Sequence, residues 1–160
     1  MEQKNKVALV IFSGDLDKLF ASFIIATGAA ASGMEVSMFF TFWGLKLIQS
    51  EVSPPKGLNL LQKLFGFMLR PGPDKRTLSK MNMLGMGPVM LKKLMKKSKV
   101  PSLRELMETA KNLGVKFTAC TTSMNVMGIT KETLIPEVNQ VAGVASFLKE
   151  ANESRFTLFI

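Results

Sequence analysis

Val115-Lys116-Phe117-Thr118-Ala119-Cys120-Thr121-Thr122-Ser123 decides how the rest of the chain is read. Val115 to Cys120 is a short run that suits a strand, and Gly114 before it is a natural helix stop. Thr121-Thr122-Ser123 can open a helix. A strand passing directly into a helix is the repeating joint of a parallel α/β sheet, and Cys120 stands at that joint, facing helix amides. Amides and the helix dipole favour a thiolate there, which could carry sulfur, attack a disulfide or be oxidised. The plainer reading of a lone cysteine is a small buried core residue.

The same alternation recurs on both sides. Val7 to Phe12 reads as a buried first strand, followed by a Ser13-Gly14-Asp15 turn in which Asp15 can cap a helix beginning near Leu16. Leu16, Leu19, Phe20, Phe23 and Ile24 recur at helical spacing, and Gly33 can end that helix. Glu35 to Thr41 is a second strand, and Phe42 to Ile48 a short helix. Ser102 and Glu105 form a capping box ahead of Leu103, Leu106, Met107, Ala110 and Leu113 on one helical face. Gln140-Val141 reads as a short strand, Gly143 to Asn152 as a helix and Arg155 to Ile160 as a terminal strand. The order predicts one domain over residues 1–160, an α/β three-layer sandwich with a mainly parallel sheet of about five strands.

Residues 50–101 interrupt this rhythm and read as an amphipathic Met/Lys-rich insertion. Pro54-Pro55, Gly57, Pro71-Gly72-Pro73 and Gly85-Met86-Gly87-Pro88 punctuate it. Leu60 to Met68 suits an apolar helix, and Pro88 suits the first turn of another. That second helix would set Met90, Leu91, Leu94 and Met95 opposite Lys92, Lys93, Lys96 and Lys97. The net charge of +9 is concentrated here: Arg70, Lys75, Arg76, Lys80, Lys92, Lys93, Lys96, Lys97 and Lys99 face only Asp74, which leaves the rest of the chain nearly neutral. A basic Met-rich surface, with Met81, Met83 and Met86 in the loop before the helix, suits a protein partner, a lid or peripheral contact with an anionic membrane. Thioethers also suit Cu(I), but adaptable partner packing is the favoured reading. Nucleic acid is disfavoured because no aromatic residue stands between Phe67 and Phe117 to stack on bases.

Composition excludes several chemistries. With one cysteine and no histidine there is no intramolecular disulfide, no Cys-X-X-Cys pair, no Cys-based zinc cage, no Ser-His-Asp triad and no Cys-His dyad. Neither a metal nor a cofactor is expected. The apolar run Val7 to Phe12 is too short for a secretory signal, and the uncharged stretch Leu19 to Met34 is short for a membrane span, so a cytoplasmic protein is expected. Ligands of open parallel sheets bind beyond the carboxyl ends of the strands. If the first, second and Cys120 strands are neighbours, Ser13, Gly14, Thr41, Trp43, Cys120, Thr121, Thr122 and Ser123 would frame a pocket for a small anion or a persulfide. Neither G-x-G-x-x-G nor G-x-x-x-x-G-K-[ST] is present to suggest a nucleotide.

Four ordered motifs carry a resemblance that spans nearly the whole chain. Val7 to Lys18 resembles the start of DsrE/DsrF-like sulfurtransferases, in particular the DsrE-type branch often labelled "peroxiredoxin family". Phe39-Phe40-Thr41-Phe42-Trp43-Gly44-Leu45 is similar to that branch's aromatic strand end, Leu78 to Gly87 to its Met/Gly insertion, and Ala119 to Ile129 to its cysteine motif. Thr121-Thr122 stands where that branch carries Gln-Met. The resemblance implies a parallel sandwich that forms homo-oligomers, and a Cys120 that accepts and donates sulfane sulfur as a persulfide or thiosulfonate. It implies TusA-like sulfur carriers and rhodanese-like donors as partners. A peroxidase is not implied by the residues, because no resolving thiol exists. The alternative from another class is a non-catalytic binding or scaffold module that works through the insertion.

Overall fold

The computed structural model describes residues 5–50, 59–68 and 70–160, the side chains of 65–68 excepted. The turn signals at Pro54-Pro55 and Gly57 lie outside the described residues. Five strands, β1 (Lys6–Ile11), β2 (Glu35–Phe40), β3 (Lys116–Cys120), β4 (Gln140–Ala142) and β5 (Phe156–Phe159), form one sheet in the order β4-β3-β2-β1-β5. Every pairing is parallel. The helices are α1 (Leu16–Ala31), α2 (Leu60–Met68), α3 (Met86–Lys97), α4 (Leu103–Asn112), α5 (Thr121–Met127) and α6 (Val144–Glu153). The expected α/β sandwich is therefore the observed fold. Among the described residues no helix is long and apolar enough to cross a membrane.

Strand periodicity divides the core unequally. Val7, Leu9 and Ile11 of β1, Val36, Met38 and Phe40 of β2, and Phe117 and Ala119 of β3 point to one face. There they join Leu16, Leu19 and Phe23 of α1 and Leu103, Leu106 and Ala110 of α4 in one buried cluster. Burying a large side chain of this kind contributes about 1.5–3 kcal/mol. The alternate residues face a thinner layer: Phe39 packs on Phe147 of α6 with ring centroids 5.1 Å apart. On α6, Val144 and Leu148 remain exposed, as do Phe156 and Phe159 of β5. Cys120 alternates with Ala119 and so belongs to this second face.

Local signals behave unevenly. The Ser102–Glu105 capping box forms as expected, with both reciprocal bonds. Gly33 follows α1 at φ +80°, the left-handed conformation that suits a helix stop. Asp15 occupies the N-cap position but makes no side-chain cap bond. Its carboxylate instead accepts from the Ser13 hydroxyl (3.0 Å), and the Leu16 amide donates to the Thr77 carbonyl (2.7 Å). The cap of α1 thus comes from residues 70–82, a tertiary contact that no local motif encodes. Ser79 strengthens it by donating its amide (2.9 Å) and hydroxyl to Asp17.

The faces of α3 also differ from expectation. Leu91 and Met95 turn inward and are half-buried, whereas Met90 and Leu94 lie exposed with Met86, Val89, Lys93 and Lys97. The reason is Gly87: a Cβ there would stand 2.0 Å from the Met81 carbonyl oxygen, so the loop is seated on Gly87 and fixes Gly87, Leu91 and Met95 as the inner side. Arg76, counted above with the surface charge, is buried at 5% exposure.

The turn after β2 is held by a similar approach. A Cβ on Gly44 would lie 2.1 Å from the Ile11 carbonyl oxygen. Gly44→Ala is expected to lower stability by roughly 1–3 kcal/mol, as overpacking does. Gly28→Ala, in α1 with nothing within 4 Å, should raise stability by about 0.5–1 kcal/mol through helix propensity. Urea midpoints of the two variants, measured against the parent, check both signs.

Candidate functional site

Because β1, β2 and β3 are consecutive neighbours in the sheet, their carboxyl ends stand side by side. β2 leaves the sheet at Thr41, and residues Phe42–Lys46 make a 3-10 turn that lies over the end of β1. The Thr41 amide donates to the Ile11 carbonyl and the Gly44 amide to the Phe12 carbonyl, each at 3.0 Å. Phe42 is held at φ +43°, an unfavourable left-handed conformation for an aromatic residue, in the residue next to Thr41. β3 runs straight into α5, with Cys120 as the extended N-cap residue.

The two segments meet through the Thr41 and Ser123 hydroxyls, 2.6 Å apart. Both groups also serve Cys120, which is buried at 6% exposure. Burial by itself pushes the thiol up. The Ser123 amide, the Ser123 and Thr41 hydroxyls and the Thr122 amide offset this by favouring the thiolate, and they hold the thiol below the ordinary cysteine value. No ammonium, guanidinium or imidazolium enters this balance. Among the described residues the thiolate is favoured by neutral donors, as an anion is in an oxyanion hole.

The other expected site residues are placed as follows. Thr121 is exposed and is not among the groups that lower the thiol. Trp43 is half-buried against the core. Gly14 lies under the Trp43 backbone, with its Cβ position 2.9 Å from the Trp43 carbonyl oxygen, so packing alone accounts for a glycine there. The Ser13 hydroxyl is engaged with Asp15, and among the described hydrogen bonds none joins Ser13 or Gly14 to Cys120. α2 reaches α5 on the outside, where the Gln62 side-chain amide donates to the Asn125 and Val126 carbonyls at 3.5 and 3.4 Å. In the basic segment Lys92 donates to the Asp74 carbonyl (2.6 Å). Lys93, Lys96 and Lys97 are exposed, and Met81, Met83 and Met86 are at least half exposed.

Sequence reasoning missed Lys46 and Arg76. Lys46 is 3% exposed and donates to Gln49 (3.0 Å), and burial followed by the charge of Arg76 pushes its ammonium down. Burial pushes the Arg76 guanidinium down to about 10. The available signal was a lone lysine within Gly44-Leu45-Lys46-Leu47-Ile48. For Arg76 there was none, since it sits in a polar run.

These features define an α/β domain with a single buried thiol at a strand end, among neutral donors. The chain belongs to the DsrE/DsrF/DrsH-like family, which matches it over residues 3–159. It is 45% identical over 159 residues to the uncharacterized protein YrkE of Bacillus subtilis, covering 99% of both chains. It is 36% identical over 172 aligned residues to the sulfur carrier protein DsrE2 of Allochromatium vinosum, covering 100% of both. Among solved structures it resembles ychN of E. coli (TM-score 0.59, 12% identity, 97% of this chain and 98% of that one). It also resembles MTH1491 of Methanobacterium thermoautotrophicum (TM-score 0.54, 14% identity, with the same coverage). At those identities the structural likeness shows the fold alone.

The lowered thiol has a measurable signature. The rate of alkylation by iodoacetamide should rise with pH to a midpoint below that of the same thiol in the unfolded chain. Ser123→Ala should move that midpoint upward, since it removes a donor to the thiolate. A folded-state value below the unfolded one also means that stability increases as pH rises through the folded value toward about 8.5. Cys120→Ser should lose that increase in urea unfolding measured across the same range.

Proposed function

We propose that this protein is a sulfur carrier or sulfurtransferase that loads sulfane sulfur on Cys120 and passes it to a partner protein. The observation that carries the reading is the thiol itself, at the carboxyl end of β3 and lowered by Ser123, Thr41 and Thr122. Membership of the DsrE/DsrF/DrsH-like family, and the similarity to a protein named as a sulfur carrier, support a role in sulfur relay.

In the proposed step the Cys120 thiolate attacks the outer sulfur of a donor persulfide, R–S–SH. The donor's S–S bond breaks, the donor leaves as R–S⁻, and Cys120 holds –S–SH. With tetrathionate the same attack leaves –S–S–SO₃⁻ on Cys120 and releases thiosulfate. Both steps exchange one S–S bond for another and need no external oxidant. The Thr122 and Ser123 amides with the Thr41 and Ser123 hydroxyls would hold the anionic product. A thiol only 6% exposed needs its surroundings to open before a donor can reach it. Rhodanese-like donors, TusA-like acceptors, a homo-oligomeric state and a cytoplasmic location belong to the same reading. The thin second face with exposed Val144, Leu148, Phe156 and Phe159 suits assembly between copies.

A second reading is favoured by a separate observation. Met86, Val89, Met90 and Leu94 form an exposed row beside Lys93 and Lys97, which suits a binding or scaffold module that engages an acidic partner or an anionic membrane surface.

Reduced protein incubated with tetrathionate or a small persulfide donor should gain a reducible adduct on the Cys120 peptide by mass spectrometry, and Cys120→Ser should gain none. An adduct of equal yield in Cys120→Ser would end the sulfur-carrier reading. Replacing Lys92, Lys93, Lys96 and Lys97 together by Glu should weaken binding of an acidic carrier protein or of anionic vesicles at low salt without changing adduct formation. Unchanged binding in both assays would identify the lysines as a solvated face.

A further inference from the structure

Lys46 and Arg76 are buried at 3% and 5% exposure, and the charge of Arg76 adds to burial in pushing the Lys46 ammonium down. Placing two like charges in a protein interior is unfavourable unless a counter-charge and hydrogen bonds compensate. Among the described residues no carboxylate forms an ion pair with either group. Lys46 makes one side-chain bond, to the neutral Gln49 oxygen. Arg76 donates to no described residue, and its Nε is completely shut off with no partner. A guanidinium depressed only to about 10 remains charged at neutral pH. A buried unsatisfied donor in an otherwise satisfied interior is where a bound ion is to be looked for.

We propose that Lys46 and Arg76 form an internal site for a compact divalent oxyanion, of sulfur (sulfate, thiosulfate) or of phosphorus (inorganic phosphate). A guanidinium presents paired donors in a plane that match two oxygens of such an anion, and the ammonium supplies a third direction and the second charge. A dianion would offset the guanidinium charge and favour the ammonium form of Lys46, which burial and Arg76 disfavour. The neighbours of Lys46 are polar: Gln49 accepts from its ammonium at 3.0 Å, and the Gly72 amide donates to its carbonyl at 3.0 Å. Surface lysines do not share these features: Lys93, Lys96 and Lys97 are exposed.

The site is tied to Cys120 through the chain. Thr41, which serves the thiol, and Lys46 are the two ends of one 3-10 turn, about 10 Å apart at its rise of roughly 2 Å per residue. An anion held at Lys46 would therefore brace the segment that positions the Thr41 hydroxyl. This proposal is independent of sulfur loading, since the anion is held by charge and no bond to sulfur forms.

The test uses the full chain carrying Cys120→Ser, so that covalent chemistry at the thiol cannot contribute. Equilibrium dialysis against labelled sulfate, thiosulfate and phosphate, with chloride at matched ionic strength as the reference, should give saturable binding of one anion per chain. At about a hundredfold excess over Kd the thermal midpoint should rise by roughly 5–10 °C. Arg76→Met and Lys46→Met should each lose the binding, and Lys149→Met, at an exposed lysine, should keep it. Tighter binding of thiosulfate and sulfate than of phosphate would assign the site to sulfur anions, and the reverse order to phosphate. Absence of saturable binding by all three anions would overturn the proposal, as would full binding in Arg76→Met. If the Met variants do not fold, the stoichiometry measured on the Cys120→Ser chain decides. Failure here would leave adduct formation on Cys120 of the parent untouched, so the two readings fall separately.

Discussion

The seating of Gly44 on the carbonyl of Ile11 is the contact on which the carboxyl edge of this sheet depends. A side chain of any size at residue 44 would overlap that oxygen, 2.1 Å from the Cβ position. With glycine there, the chain leaving β2 turns tightly over the end of β1 and is fixed by the Thr41 and Gly44 amides. One end of the turn delivers Thr41 to Ser123 and so to Cys120. The other end carries Lys46 into the interior, where its carbonyl accepts from Gly72 and anchors residues 70–76. The strained conformation of Phe42 is the local cost of this path.

The thiol shows how a protein without histidine can prepare a nucleophile. Desolvation opposes the thiolate, and a nearby cation would be the usual remedy. Here the balance is turned by amides and hydroxyls, whose dipoles are fixed by α5 and by the Thr41–Ser123 contact. Neutral donors stabilise the thiolate without committing it to a salt bridge.

Much of the architecture was legible because it rests on local or periodic signals. Alternation along β1, β2 and β3, helical spacing in α1 and the Ser102–Glu105 box each depend on residues within a few positions of one another. The placing of Cys120 at a strand end before a helix was legible for the same reason. The cap of α1 was not: Asp15 has the residue type for it, but the Thr77 carbonyl, from a segment more than sixty residues away, supplies a partner for the first amide. The inward side of α3 was read in part: hydrophobicity alone groups Met90, Leu91, Leu94 and Met95, while the backbone approach at Gly87 selects only Leu91 and Met95.

Residue types and their order settle the class of fold, the single thiol available and the chemistries that lack of histidine and of a second cysteine forbids. These follow from residue types and their spacing, which survive in one dimension. Tertiary structure decided which donors meet the thiol, that Thr41 rather than Ser13 is joined to the site, and that two of the many basic residues, Lys46 and Arg76, are interior. Those outcomes depend on which strand ends become neighbours and on which backbone segments touch, and burial of a charge is a property of the space around it, not of the residue that carries it.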